Sequence, residues 1–171
     1  MKKTARGFTL VELLIVMAIL AILGLIIMVV INPLEMRRRS NDTVRVTDLN
    51  NLQQAINVAA QEATTSGTEI LCFNTTAPCL EGTFPIIGNT RSSNGSGWVK
   101  VDLSSQKSVS LPTLPIDPIN DEAHHYHYYS DGSDWEIDAV LESTQQNGKM
   151  ENDGGSDTAV YETGSNLQLI L

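Results

Sequence analysis

Charge is almost missing from the front of this chain, and positive charge is scarce in the rest. Residues 8–31 hold one ionisable side chain, Glu12, in 24 positions. Residues 1–40 carry six basic and two acidic side chains, net +4; residues 41–171 carry five basic and eighteen acidic, net −13. A surface this acidic repels phosphate, which argues against general nucleic-acid binding. Aromatic residues make up only 5% of the chain, and no aromatic cluster or basic patch marks a recognition surface. A glycine-rich phosphate loop, a nucleophile motif and a paired-histidine zinc helix are all missing, so no motif points to an enzyme. There is no internal repeat. Cysteine is limited to Cys72 and Cys79.

What is present is a long apolar run. At about 1.5 Å per residue, a helix over residues 8–31 is roughly 36 Å long, enough to cross a hydrocarbon core of about 30 Å. In lipid its backbone must bond internally, so the run is predicted to be helical. Lys2, Lys3 and Arg6 precede it and favour a cytoplasmic N-terminus. The run is too long for a secretory signal, and no small-x-small cleavage site follows it. Glu12 is the anomaly for a plain anchor, because a carboxylate in lipid is costly and the span offers no basic partner.

The order Lys2-Lys3-Thr4-Ala5-Arg6-Gly7-Phe8-Thr9-Leu10-Val11-Glu12 resembles the leader and cleavage site of type IV pilins and type II secretion pseudopilins. A short basic leader ends in Gly; Phe-Thr-Leu-x-Glu and an apolar helix follow. The resemblance implies cleavage between Gly7 and Phe8 by a membrane peptidase that also methylates the new Phe8 amine. It implies that Glu12 meets the amine of a neighbouring subunit in a filament. It also implies a membrane platform protein and a cytoplasmic assembly ATPase as partners. The implied fold is α+β, with a long N-terminal helix whose second half packs on a small antiparallel head sheet.

Four segments follow from this reading: a leader at 1–7, a membrane and assembly helix at 8–31, an amphipathic helical half at 32–66, and a β-rich head at 67–171. Asn32-Pro33 should kink or open the helix, with a local melt around Gly24–Pro33. Arg37, Arg38 and Arg39 read either as a contact with head groups or neighbouring acids, or as a solvated face. Leu49, Leu52, Ile56, Ala59 and Ala63 recur at helical spacing, and Ser66-Gly67 should end the helix. Asp42 and Arg45 lie in a stretch that also resembles the family.

Residues 67–96 read as loop, and Asn74 and Asn94 each head a short glycosylation triplet. Alternation predicts strands at 98–103, 126–129 and 135–141, with a hairpin turn at 130–134 and a last strand at 167–171. Outside the cytoplasm, Cys72 and Cys79 are candidates for a disulfide around a Pro78 turn, with a metal pair as the alternative.

Two further groups attract attention. His125 and His127 share a strand face at a spacing suited to a metal, and surface strand residues are the competing reading. Residues 151–157 concentrate oxygen donors and glycines, so Asp153 and Asp157 are candidate calcium ligands, with a solvated acidic loop as the alternative. Some pseudopilins bind calcium in a late head loop, which the resemblance carries to these two residues.

The sequence supports two function classes. One is a structural filament subunit, held in the inner membrane with its head outside the cytoplasm before entering an extracellular or periplasmic filament. The other is a minor tip pilin or membrane-tethered adhesin.

Overall fold

The computed structural model describes residues 7–63, 70–86, 88, 90–104 and 111–170. The leader through Arg6, the helix end expected at Ser66-Gly67 and Leu171 lie outside them. The chain divides into two compact units, Met1–Arg37 and Arg38–Leu171.

The first unit is dominated by helix α1, Leu10–Ile31. Thr9 caps it: its hydroxyl accepts from the Glu12 N–H at 3.2 Å, and the Glu12 carboxylate accepts from the Thr9 N–H at 3.0 Å. This reciprocal box satisfies two donors that a helix start leaves open. The helix runs unbroken through Gly24, so the expected melt does not occur; the interruption is confined to Asn32. Asn32 sits in the left-handed region at φ 42°, which asparagine tolerates better than most residues. Pro33 then opens α2, Pro33–Glu62, at a position where a missing N–H costs no helix bond. Asn32 also serves the new helix, its carbonyl accepting from Met36 N–H at 3.2 Å.

The second unit holds the core. Leu49, Leu52, Ala55, Ile56 and Ala59 form one buried stripe of α2, as periodicity predicts for all but Ala55. Ala63 departs from the prediction: it lies just past the helix end and is exposed. Against this stripe stands a four-stranded antiparallel sheet in the order β1-β2-β3-β4. Its strands are β1 Cys79–Gly82, β2 Tyr126–Ser130, β3 Trp135–Ala139 and β4 Tyr161–Gly164. A short helix, α3, spans Asn147–Met150. The architecture is α+β and pilin-like, a long N-terminal apolar helix followed by an antiparallel sheet.

The hairpin β2–β3 forms as predicted, with Ser130 opposite Trp135. Tyr126, Tyr128, Trp135, Ile137 and Ala139 point into the core. The buried aromatics keep their polar tips bonded. Tyr126 Oη donates to Asp48 at 3.0 Å, Tyr128 Oη to the Leu71 carbonyl at 2.6 Å, and Trp98 Nε1 to the Pro115 carbonyl at 3.0 Å.

Three strand expectations need correction. β1 lies inside the stretch read as loop, because four residues flanked by prolines leave no detectable alternation. Residues 98–103 bury Val99, Val101 and Leu103 as predicted but form no strand; only an isolated bridge joins Asp102 to Asn94. Among the described residues the last strand is β4, and residues 167–170, read as a strand from the sequence, are a turn followed by a bend and irregular backbone. Their N–H groups instead approach a carboxylate of β3.

Candidate functional site

Gly7, Phe8 and Glu12 are all exposed. Gly7 is exposed and has nothing within 4 Å of where a Cβ would stand. Phe8 is 83% exposed. The 22 residues of α1 have a mean hydropathy of 3.4 in their most apolar window, and none is buried by the rest of the chain. By length and composition this helix can cross a membrane. Glu12 lies on its first turn, and its Oε2 accepts from both the amide and the hydroxyl of Thr9 at 3.0 Å. Its carboxylate is thus bonded within its own chain, at the end of a helix whose apolar surface is uncovered.

Cys72 and Cys79 are joined as a disulfide, with Cα atoms 5.9 Å apart. The bridge ties the loop preceding β1 to its first residue, and both cysteines belong to the core.

The second unit buries several charges that no pattern in the sequence marks. Arg45, fully buried on α2, holds three carboxylates. Its Nε and Nη2 engage Asp117 in a fork at 2.6 and 3.0 Å; Nη1 reaches Asp42 at 3.0 Å and Glu142 at 2.8 Å. Burial disfavours the guanidinium charge, but Asp117 and then Glu142 outweigh it and raise Arg45 above its ordinary value. Asp42 also accepts the N–H groups of Glu142 and Ser143 at 2.9 and 2.8 Å. Burial pushes its pKa up, yet the bonds from Ser143, Glu142 and Arg45 bring it below the usual carboxylate range. This cluster ties α2 to the segments on both sides of the β2–β3 hairpin. Asp42 and Arg45 stand three apart in the sequence, but neither their burial nor the partners 72 and 97 residues downstream from Arg45 could be read there.

The sheet face opposite α2 is acidic and partly covered. Glu136 is fully buried, and its Oε2 accepts from Leu169 and Ile170 N–H at 2.8 and 3.1 Å. Its other oxygen, Oε1, is buried and accepts no hydrogen bond. Burial, followed by a contact with the carboxyl of Glu162, pushes Glu136 up to about 7. Glu162 in turn accepts from Asp157 N–H at 3.1 Å and Ser156 N–H at 3.3 Å. A Cβ at Gly155 would collide with the Glu162 carboxylate, so glycine there permits the loop to close over it.

That closure involves both candidate calcium ligands. Asp153 accepts from Gly155 N–H at 2.9 Å and from Glu162 N–H at 2.8 Å; Asp157 accepts from Ala159 N–H at 2.8 Å. The loop is therefore organised by backbone donors on carboxylates. An ionised carboxylate has about four acceptor positions, so these bonds leave oxygen lone pairs on both residues. Among the described residues, no group of three or more His, Cys, Asp or Glu side chains is placed to hold a metal ion.

The histidines lie beside this face. His124 bonds Asp121 at 3.0 Å. His127 Nδ1 lies 2.7 Å from Asp138, and that bond raises its pKa against the effect of burial. Burial, and then the neighbouring His127, lower His125.

No curated protein and no solved structure matches this chain. One family model does, at residues 2–28, described as the prokaryotic N-terminal methylation motif. The match spans the leader, Gly7, Phe8, Glu12 and most of α1, and stops short of the head. The N-terminal segment thus carries the prepilin-type methylation signal of type IV pilins and pseudopilins.

Proposed function

We propose that the chain is a structural subunit of a type IV pilus or a type II secretion pseudopilus. The observation that carries this reading is the pairing of a methylation motif with a 22-residue apolar helix that buries none of its residues in its own chain. Such a helix needs cover from outside its own chain, in two successive environments. Lipid supplies the first, before assembly, with the head outside the cytoplasm. The helices of related subunits supply the second, in the extracellular or periplasmic filament.

Cleavage between Gly7 and Phe8 by a prepilin peptidase creates a cationic amine, which the same enzyme methylates. In a staggered bundle, Glu12 of one subunit meets the Phe8 amine of its neighbour. Opposite charges attract far more strongly in low dielectric than in water, and each offsets the other's desolvation. A wrong register leaves both unpaired. Extraction from lipid is assigned to a cytoplasmic ATPase acting through a membrane platform protein.

Glu12→Ala tests this reading. The variant is expected to insert and to be cleaved, yet to leave no filaments in sheared surface material or in electron micrographs. Normal filaments from it would refute the role given to Glu12. The tip-subunit alternative differs in copy number: a dominant band in sheared material supports the structural subunit, and a trace supports the tip.

Calcium at Asp153 and Asp157 is proposed on oxygen chemistry alone. A higher melting temperature in calcium than in chelator supports it by linkage, and identical melts end it.

A further inference from the structure

We propose that His125 and His127 form a two-histidine site for a borderline transition-metal ion, with zinc the ion to test. The proposal stands on the head alone and does not depend on the filament reading. His127 lies in β2 directly across from Gly82 of β1, and His125 lies two residues before it on the same face. The two rings are 4.3 Å apart between centroids, at 67° to each other.

The orientation of the rings is what favours a ligand. His125 Nδ1 lies 3.1 Å from the backbone carbonyl of Asp121, an acceptor only, so that nitrogen carries the proton. His127 Nδ1 is held in the same sense by Asp138, whose side chain is 5% exposed. In the neutral rings both lone pairs therefore sit on Nε2. A carboxylate or carbonyl bonded to the far nitrogen is how metal-binding histidines are usually fixed, and it raises their basicity.

Gly82 leaves the space. A Cβ there would stand 3.4 Å from His127 Cδ2 and 3.6 Å from His125 Cδ2, so the ring edges next to both Nε2 atoms flank one side-chain-free position. Zinc binds imidazole nitrogen at about 2.0–2.1 Å, so two nitrogens sharing an ion lie within about 4 Å of each other. The ring centroids, 4.3 Å apart, are separated by close to that span. Phe84 packs against His125 at 5.8 Å and walls one side. Imidazole suits zinc, nickel and copper over calcium or magnesium, and water fills the remaining positions.

The test is a zinc titration of the full chain in detergent, purified without a histidine tag and followed by calorimetry. One ion per chain is expected. His125→Ala and His127→Ala should each weaken binding at least tenfold, Asp138→Asn about tenfold through the orienting bond, and His124→Ala not at all. Thermal melts of each variant without metal show whether the fold survives. His127→Gln, which keeps a polar partner for Asp138, replaces the alanine variant if that one unfolds. Affinity unchanged in either histidine variant overturns the proposal. So does binding that persists there and is lost in Asp157→Asn, which would assign the ion to the acidic loop.

Discussion

The two compact units differ in where they keep their chemistry. The first carries nearly all its apolar surface outside: from Phe8 to Ile31 the large side chains are 45–83% exposed, with a single carboxylate among them. The second does the opposite, burying Arg45, Asp42, Asp117, Glu136, Asp138 and Glu162 beside its apolar core. Exposed grease is a demand for a partner, whereas a buried ion cluster is a demand for one fixed arrangement. In the proposed function, association falls to the helix and conformational uniqueness to the head.

The comparison breaks most sharply at Arg45. Arg45→Met leaves Asp42, Asp117 and Glu142 without their shared cation, and should cost about 3–5 kcal/mol in denaturant unfolding of the head. A loss below about 1 kcal/mol would mean that the cluster is dispensable. Matched leucines sharpen it next. Leu52→Ala removes a fully buried side chain and should cost about 2–5 kcal/mol. Leu20→Ala, at a position 57% exposed, should leave the head's stability within about 0.5 kcal/mol in detergent. Equal losses would show that the helix stabilises the head after all.

The smallest effect is in pH. Glu136 is pushed up to about 7 in the folded protein from an ordinary 4.5, first by burial and then by Glu162. A raised folded value means that the contribution is intact below about pH 4.5 and is lost as pH rises through 7. His127, also raised, acts in the same direction, and His125, lowered by burial and by His127, opposes them; Glu136, with the large shift, sets the sign. Melting temperature should therefore fall from pH 5 to pH 8, and Glu136→Gln should flatten part of that slope. A parallel slope in the variant would remove Glu136 from the account.

Legibility in the sequence followed periodicity. The helix stripe at Leu49, Leu52, Ile56 and Ala59 and the hairpin at 126–139 repeat along the chain often enough to be read. At 98–103 the alternation predicted burial correctly, yet it could not show that no neighbouring strand would be there to pair. β1 and β4 are four residues each, too short to carry a period. Alternation over 135–141 puts Glu136 opposite the core, so it reads as solvent-facing, and Glu162 lies in a strand too short to read. They are buried because the 153–157 loop and residues 169–170 bring N–H groups to them, a long-range event with no local sequence signal. At the N-terminus the motif was legible because its parts are fixed at adjacent positions.

The account turns on whether the chain is cut and modified where the motif says. Mass spectrometry of the mature N-terminus in cells decides it directly. The account predicts a chain that begins at a methylated Phe8; a mature protein that keeps residues 1–7 would contradict it.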